Sequence, residues 1–186
     1  MKSFTGTDTV FIDAAATKPL DRTTLERHFD RLVAANGPAL TRLAASYTNT
    51  SSDRDDLLQE IAMALWQALP RFRGECSERT FLFRIAHNRA IAHLVRSRSQ
   101  PIAGEEVEIH DPAPDPEAGL AREQSVERLR RTIHRLPLVY RQVITLSLEG
   151  LGYGEIAEVV GISESNVGAR LTRARQILRE SLENQP

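Results

Sequence analysis

Residues 153–182, YGEIAEVVGISESNVGARLTRARQILRESL, leave the chain few choices, because their spacing predicts two short helices joined by a tight turn. Ile156, Ala157 and Val160 share one helical face, and Gly161 supplies the left-handed or close-packed position at which the backbone reverses. Ile162 buries the turn, and Ser163 is placed as the N-cap of the next helix. The apolar stripe of that helix runs Val167, Leu171, Ala174, Leu178, at intervals of four, three and four, so one side must face a core.

Away from the stripe lie Asn166, Arg170 and Arg173, four and three residues apart, so an amide and two guanidinium groups project from one ridge. Arginine donates two hydrogen bonds to the edge of a guanine and asparagine pairs similarly with an adenine, which makes this ridge suited to a major groove. Arg175 and Arg179 are placed to hold phosphates, and Ser163 and Ser165 complete the candidate DNA contacts at the helix start. Residues 165–179 hold four arginines and no acid, the local field of a recognition helix. Small residues at the turn and the buried Ile162 fit helix-turn-helix packing better than a plain solvated helix.

A near-balanced charge, 24 basic against 25 acidic residues, argues at first against a nucleic-acid partner. The distribution reverses that reading. Residues 1–100 carry 14 basic and 11 acidic side chains, residues 101–124 carry 1 and 7, and residues 125–186 carry 9 and 7. The acid sits in the middle, and the modules on either side are each mildly basic. One cysteine, Cys76, permits no intramolecular disulfide and no zinc cluster, so a reducing cytoplasm is the expectation. No run is long and apolar enough to imply membrane insertion, and neither a metal nor another cofactor is expected. The five histidines lack metal-ligand spacing, and no phosphate-cradling glycine loop or nucleophile elbow points to an enzyme.

Along the chain, residues 1–21 read as a mobile N-terminal tail. Leu25, Phe29, Leu32, Val33, Leu40 and Leu43 predict two helices parted by Asn36-Gly37-Pro38. A further helix starts near Ser52 or Asp53, buries Leu57, Leu58, Ile61, Ala62, Leu65, Trp66 and Leu69, and ends at Pro70. After a loop, a helix from about Thr80 to Arg98 turns Phe81, Leu82, Ile85 and Ala86 inward and Arg89, His93 and Arg96 outward. Residues 79–100 hold five arginines and no acid. Residues 101–122, with four prolines and six acids, predict a flexible linker of about 70 Å maximum reach. In residues 123–186 a core of Val126, Leu129, Ile133 and Leu136 leads through Pro137 to Val139, Val143, Ile144, Leu146 and Leu148, and then to the helix pair. The expected fold is all-α, two small helical domains at 22–100 and 123–186 joined by the acidic, Pro-rich linker.

Two motifs in this order resemble the extracytoplasmic-function group of the sigma-70 family of bacterial RNA polymerase sigma factors. DRDDLLQEIAMALWQALPRFRGECSERTFLFRIAHNRAIAHLVRSR resembles sigma region 2, and LPLVYRQVITLSLEGLGYGEIAEVVGISESNVGARLTRARQIL resembles region 4, which reads the upstream promoter element. The resemblance implies core RNA polymerase, promoter DNA and an anti-sigma protein as partners. It implies that Asp55, Asp56, Gln59 and Glu60 dock on polymerase, and that Arg73, Arg79, Arg84, Asn88, Arg89, His93 and Arg96 meet the opened downstream element. Phe81, Phe83, His87 and Ala92 depart from the residues frequent in the family, as do Gly168 and Ala169 in the reading helix. The alternative is a dimeric helix-turn-helix regulator in which residues 22–100 form a sensing domain.

Overall fold

Recurrent apolar stripes at three- and four-residue spacing produce helices, and the computed structural model carries seven of them among its described residues. The backbone is described for residues 21–99 and 118–183, and side chains for 21–97 and 125–183. The tail reading for 1–20 and the part of the linker reading that falls on 101–117 lie outside the described residues.

The first helix, α1, runs Arg22–Ala45 without a break, so the Asn36-Gly37-Pro38 signal does not divide it. Pro38 removes one N–H donor, but Leu32 before it and Leu40, Leu43 and Ala44 beyond it are all buried, and that burial requires one continuous helix. Side chains supply extra bonds to the backbone there: Asn36 Nδ2 donates to the Leu32 carbonyl at 2.9 Å and Thr41 Oγ1 to the Gly37 carbonyl at 3.0 Å. Helix α2, Ser51–Ala68, starts slightly earlier than its serines and aspartates indicate. Its cap is the extended Thr50, whose hydroxyl accepts the Asp53 N–H at 3.1 Å. Pro70 then occupies a single 3₁₀ turn, Leu69–Arg71. Helix α3, Glu78–Ser99, is capped by Ser77, whose Oγ accepts the Thr80 N–H at 2.9 Å.

Helix α4, Ala118–Arg135, begins inside the stretch that reads as linker. Pro116 is the last breaker, and Ala118, Leu120, Ala121 and Glu123 beyond it are strong helix formers. A corner at Pro137 leads into α5, Leu138–Leu148, and the chain closes with α6, Tyr153–Val160, and α7, Glu164–Glu183. These helices bury narrower stripes than their apolar residues allow. Val126, Val139 and Leu148 are 61%, 44% and 57% exposed, not core, while Ile133, Leu136, Val143, Ile144 and Leu146 are buried. In α6 the buried pair is Ile156 and Val159, with Ala157 and Val160 only half-buried.

Helices α1 to α3 pack on each other around Leu43, Leu57, Leu65, Leu82 and Phe83, and Trp66 sits half-buried with its ring edge-on to Phe29 at 5.4 Å. Helices α4 to α7 form the second bundle. Helix α3 also packs against α6, and the apolar core runs continuously through both bundles. At their junction Arg141 is 5% exposed; its guanidinium donates to the carbonyls of Ser46 at 3.3 Å, Leu136 at 3.2 Å and His134. One charge thereby holds the α4–α5 corner against the end of α1.

Candidate nucleic-acid interface

The turn before α7 is built as its residues require. Gly161 has φ of +75°, a left-handed conformation natural to glycine, and the N–H groups of Gly161 and Ile162 both reach the Ala157 carbonyl, at 2.9 and 3.1 Å. Ser163 Oγ accepts the Asn166 N–H at 3.3 Å, which satisfies one of the open donors at the start of α7. With Val167, Leu171, Ala174 and Leu178 buried, Asn166, Arg173, Arg175 and Arg179 are exposed and Arg170 is half-buried. Ser163 and Ser165 are exposed at the same end. Arg173 Nη1 donates to Gln176 Oε1 at 2.9 Å, and Gln176 in turn donates to Glu180 at 2.8 Å, so this guanidinium is held along the ridge rather than swinging freely.

The cations of α3 divide into three groups instead of forming one outward face. Near its start, Arg79 donates to the Glu149 carbonyl and lies over the Phe83 ring at 5.4 Å. Arg84 donates to Glu158 at 3.1 Å and lies 5.8 Å from the Phe81 ring centroid. In the middle, Asn88 and Arg89 are exposed with no hydrogen bond or ion pair among the described residues. Toward the end, Arg96 meets both oxygens of Glu60 at 2.6 Å, and His93 Nδ1 lies 3.7 Å from the same carboxylate with its side chain only 15% exposed. Arg73 is exposed in the preceding loop, beside the left-handed Gly74 at φ +73°.

On α2, Asp55, Asp56 and Gln59 are exposed, whereas Glu60 is turned toward α3 by its ion pairs. Met63, 59% exposed and seven residues after Asp56, lies on the same face. Its position outside the apolar stripe of α2 was the available sequence signal for an outward methionine.

Other polar residues had no distinguishing sequence signal. Glu149, its side chain 4% exposed, accepts from Arg42 at 2.9 and 2.6 Å. Glu155 accepts the Gly152 N–H at 2.9 Å, the Thr80 hydroxyl at 2.9 Å and the Ser77 hydroxyl at 3.5 Å, and those bonds, the backbone one foremost, hold its carboxyl below the ordinary range. His87 is buried beneath this junction, its Nε2 3.4 Å from Gln142 Nε2 and its ring edge-on to Tyr47 at 6.4 Å. Burial drives its pKa down to about 4 and raises that of the Tyr47 phenol. Burial, and next the Glu158 carboxylate beside it, push the Cys76 thiol up from its ordinary value.

A helix-turn-helix with a basic ridge at one end and a second cation-bearing helical module before it define a DNA-binding transcription protein. Residues 32–100 match the model for Sigma-70 region 2, and residues 126–178 match that for Sigma-70, region 4. The RNA polymerase sigma-H factor of Pseudomonas aeruginosa is 31% identical over 169 residues, spanning 85% of this chain and 88% of the relative. The RNA polymerase sigma factor CnrH of Cupriavidus metallidurans is 32% identical over 168 residues, with 85% and 88% covered. Among solved structures, CnrH in complex with the cytosolic domain of CnrY superposes with a TM-score of 0.66 at 29% identity, covering 87% of this chain and 91% of that one. The sigma factor RpoE in complex with the anti-sigma factor NepR from Bartonella quintana shares the fold at a TM-score of 0.69 and 22% identity, over 86% and 99% of the two chains.

The chain belongs to the extracytoplasmic-function group of the sigma-70 family. It is an RNA polymerase sigma factor, directing promoter-specific transcription initiation, and the reading as a dimeric regulator gives way to this one because both modules match in the sigma order. No helix among the described residues is long and apolar enough to cross a membrane.

Proposed function

We propose that the chain works in the cytoplasm as a non-enzymatic promoter-reading subunit for a stress or environmental regulon, with roles split between residues 22–100 and 123–186. Residues 1–21 and 101–122 flank and join those domains. The single observation that carries this reading is the α7 ridge: Asn166, Arg170 and Arg173 lie opposite a fully buried stripe, with Arg173 already braced by Gln176. In that geometry Asn166, Arg170 and Arg173 read base edges of the upstream element, while Ser163, Ser165 and Arg175 hold phosphates.

Arg73, Arg79, Arg84, Asn88, Arg89, His93 and Arg96 serve the separated strand and its duplex flank, where cations track the backbone. Asp55, Asp56 and Gln59, joined by Met63, dock on polymerase, and Glu60 orients Arg96 beside that face as well as contributing to it. An anti-sigma protein is the natural restraint, since the solved relatives CnrH and RpoE are described in complexes with CnrY and NepR.

Run-off transcription with purified core polymerase and a library of genomic promoter fragments tests the proposal. Transcripts that depend on the added protein are expected. Folded protein that stimulates none of them overturns it.

A further inference from the structure

An open cleft of about 180 Å³ lies at the seam between the two bundles, lined by Thr48 and Asn49 after α1 and by Arg130, Arg131, His134 and Arg135 near the end of α4. It shares no residue with α3 or α7. Spacings of three and four residues put the α4 members on one side of that helix. Glu127 accepts from Arg130 through both oxygens at 2.7 Å and from Arg131 Nε at 2.9 Å, so one carboxylate is shared between two guanidinium groups. The exposed side chains of Arg135 and Asn49 make no hydrogen bond or ion pair among the described residues.

The end of a helix ordinarily repels an anion, because its last carbonyls point outward. Here the buried Arg141 guanidinium donates to the carbonyls of His134 and Leu136, which covers that end with a cation. Burial first, and then the charges of Arg141 and Arg130, hold the His134 imidazole below its ordinary pKa, so it faces the cleft as a neutral ring beside a positive field.

We propose that this cleft binds a small oligophosphate: an inorganic di- or triphosphate, or the phosphate tail of a nucleotide. Guanidinium groups pair with phosphate oxygens through two parallel bonds, and a chain of phosphates offers enough oxygens to engage several arginines and the Asn49 amide together. Arg131, its side chain 63% exposed, can leave Glu127 for such a ligand at little cost, since an exposed ion pair is weak. The cleft is smaller than pockets that enclose a whole nucleotide, so it takes the phosphates and leaves a base outside. A duplex carries its phosphates on a convex surface, whereas Arg130, its side chain 25% exposed, is recessed between the bundles, within reach of a small anion. Donors come from both bundles, so the bound ligand adds stability to the assembled chain as its concentration rises.

The test titrates the full chain with sodium triphosphate at an ionic strength held constant with chloride, by calorimetry for binding and by thermal denaturation for stability. Saturable binding of one equivalent and a melting temperature that climbs with triphosphate are expected. Arg131→Gln with Arg135→Gln removes two guanidinium groups without touching the core, and affinity should fall at least about tenfold. Asn49→Asp, on the other bundle, sets a carboxylate against the ligand and should weaken binding about threefold or more. Circular dichroism without ligand confirms that each variant keeps its helices. Arg173→Gln, on the α7 ridge, should bind triphosphate as the native chain does, and the double variant should bind an upstream-element duplex as the native chain does. Triphosphate that fails to bind, or binds the double variant as tightly as the native chain, overturns the site. An equal loss in Arg173→Gln overturns it too, since the anion would then sample any arginine surface. Loss of duplex binding in the double variant would assign these cations to the DNA backbone instead, and an unchanged Asn49→Asp overturns the placement at the seam.

Discussion

Four residues, Arg170, Arg173, Gly168 and His87, carry testable consequences at the scale of the side chain. Arg170→Ala with Arg173→Ala removes guanidinium donors from the two positions proposed to read base edges, where each such contact is worth about 1–3 kcal/mol of discrimination. Binding to an upstream-element duplex is expected to fall by about tenfold or more, while co-purification with polymerase stays intact; a variant that loses polymerase as well contradicts the division of roles. Gly168 lies inside α7, and a Cβ there would meet Tyr153 Cε2 at 3.5 Å, an ordinary contact, so no packing demands glycine. Gly168→Ala should therefore stabilise the protein by up to about 1 kcal/mol, seen as a higher melting temperature.

His87 ties stability to pH. Its folded-state pKa of about 4 lies below the unfolded value near 6.5, so the unfolded chain binds the proton first as pH falls. The stability gained from burying a neutral ring is complete above about pH 6.5 and is lost on the way down to about pH 4, at most about 3 kcal/mol. His87→Leu should flatten denaturation midpoints across that window. His134, Glu78, Glu127 and Glu155, whose pKa values are also lowered, remain in the variant, so the difference between the two profiles belongs to His87. Identical profiles would remove it from the account.

Elements show where local rules are outvoted. Asn36-Gly37-Pro38 is a breaker by local chemistry, yet α1 passes through it because the stripe from Leu32 to Ala44 is buried on both sides of the proline. Pro38→Ala restores the missing N–H without moving that stripe, and a gain in stability of about 1–3 kcal/mol is expected in chemical denaturation. A loss would mean that the helix is shaped around the proline. The α6–α7 turn is the opposite case. Gly161 and Ser163 perform the jobs their chemistry predicts, because the turn's geometry is satisfied by bonds within a few residues, whereas Ile162, expected to be buried, is only half-buried against the core. Similarly legible were the stripes of α2 and α7, whose period fixes the buried face before any partner helix is known. Exposed Val126, Val139 and Leu148 were not legible, since an apolar residue at the edge of a stripe is buried only if a neighbouring helix reaches it.

For the whole molecule, polymerase and promoter DNA are both partners, and in the proposed division of roles Glu60 stands between their two faces. It follows the proposed docking residues on α2, yet its oxygens turn to α3 and hold Arg96 at 2.6 Å. Asp56→Lys, which changes an exposed carboxylate away from that ion pair, should weaken polymerase binding in a salt-dependent manner and leave upstream-element binding unchanged. Glu60→Gln should disturb both polymerase docking and strand binding, because it also frees Arg96. If Asp56→Lys leaves polymerase affinity unchanged at low salt, the docking face lies elsewhere.

The two helical modules, their order, the basic ridge of α7 and the cation-rich α3 follow from the sequence alone, because helical period and local charge act over a few residues and need no distant partner. The fate of those charges was decided only in three dimensions. Arg84 finds Glu158, and Arg42 finds Glu149, across 74 and 107 residues of chain. Arg141 on the second module and His87 on the first, polar by composition, become buried where the two modules pack on each other. No periodicity distinguishes a glutamate that solvates a helix from one that occupies an arginine on another module; only the packing of α6 on α3 brings the two within bonding distance.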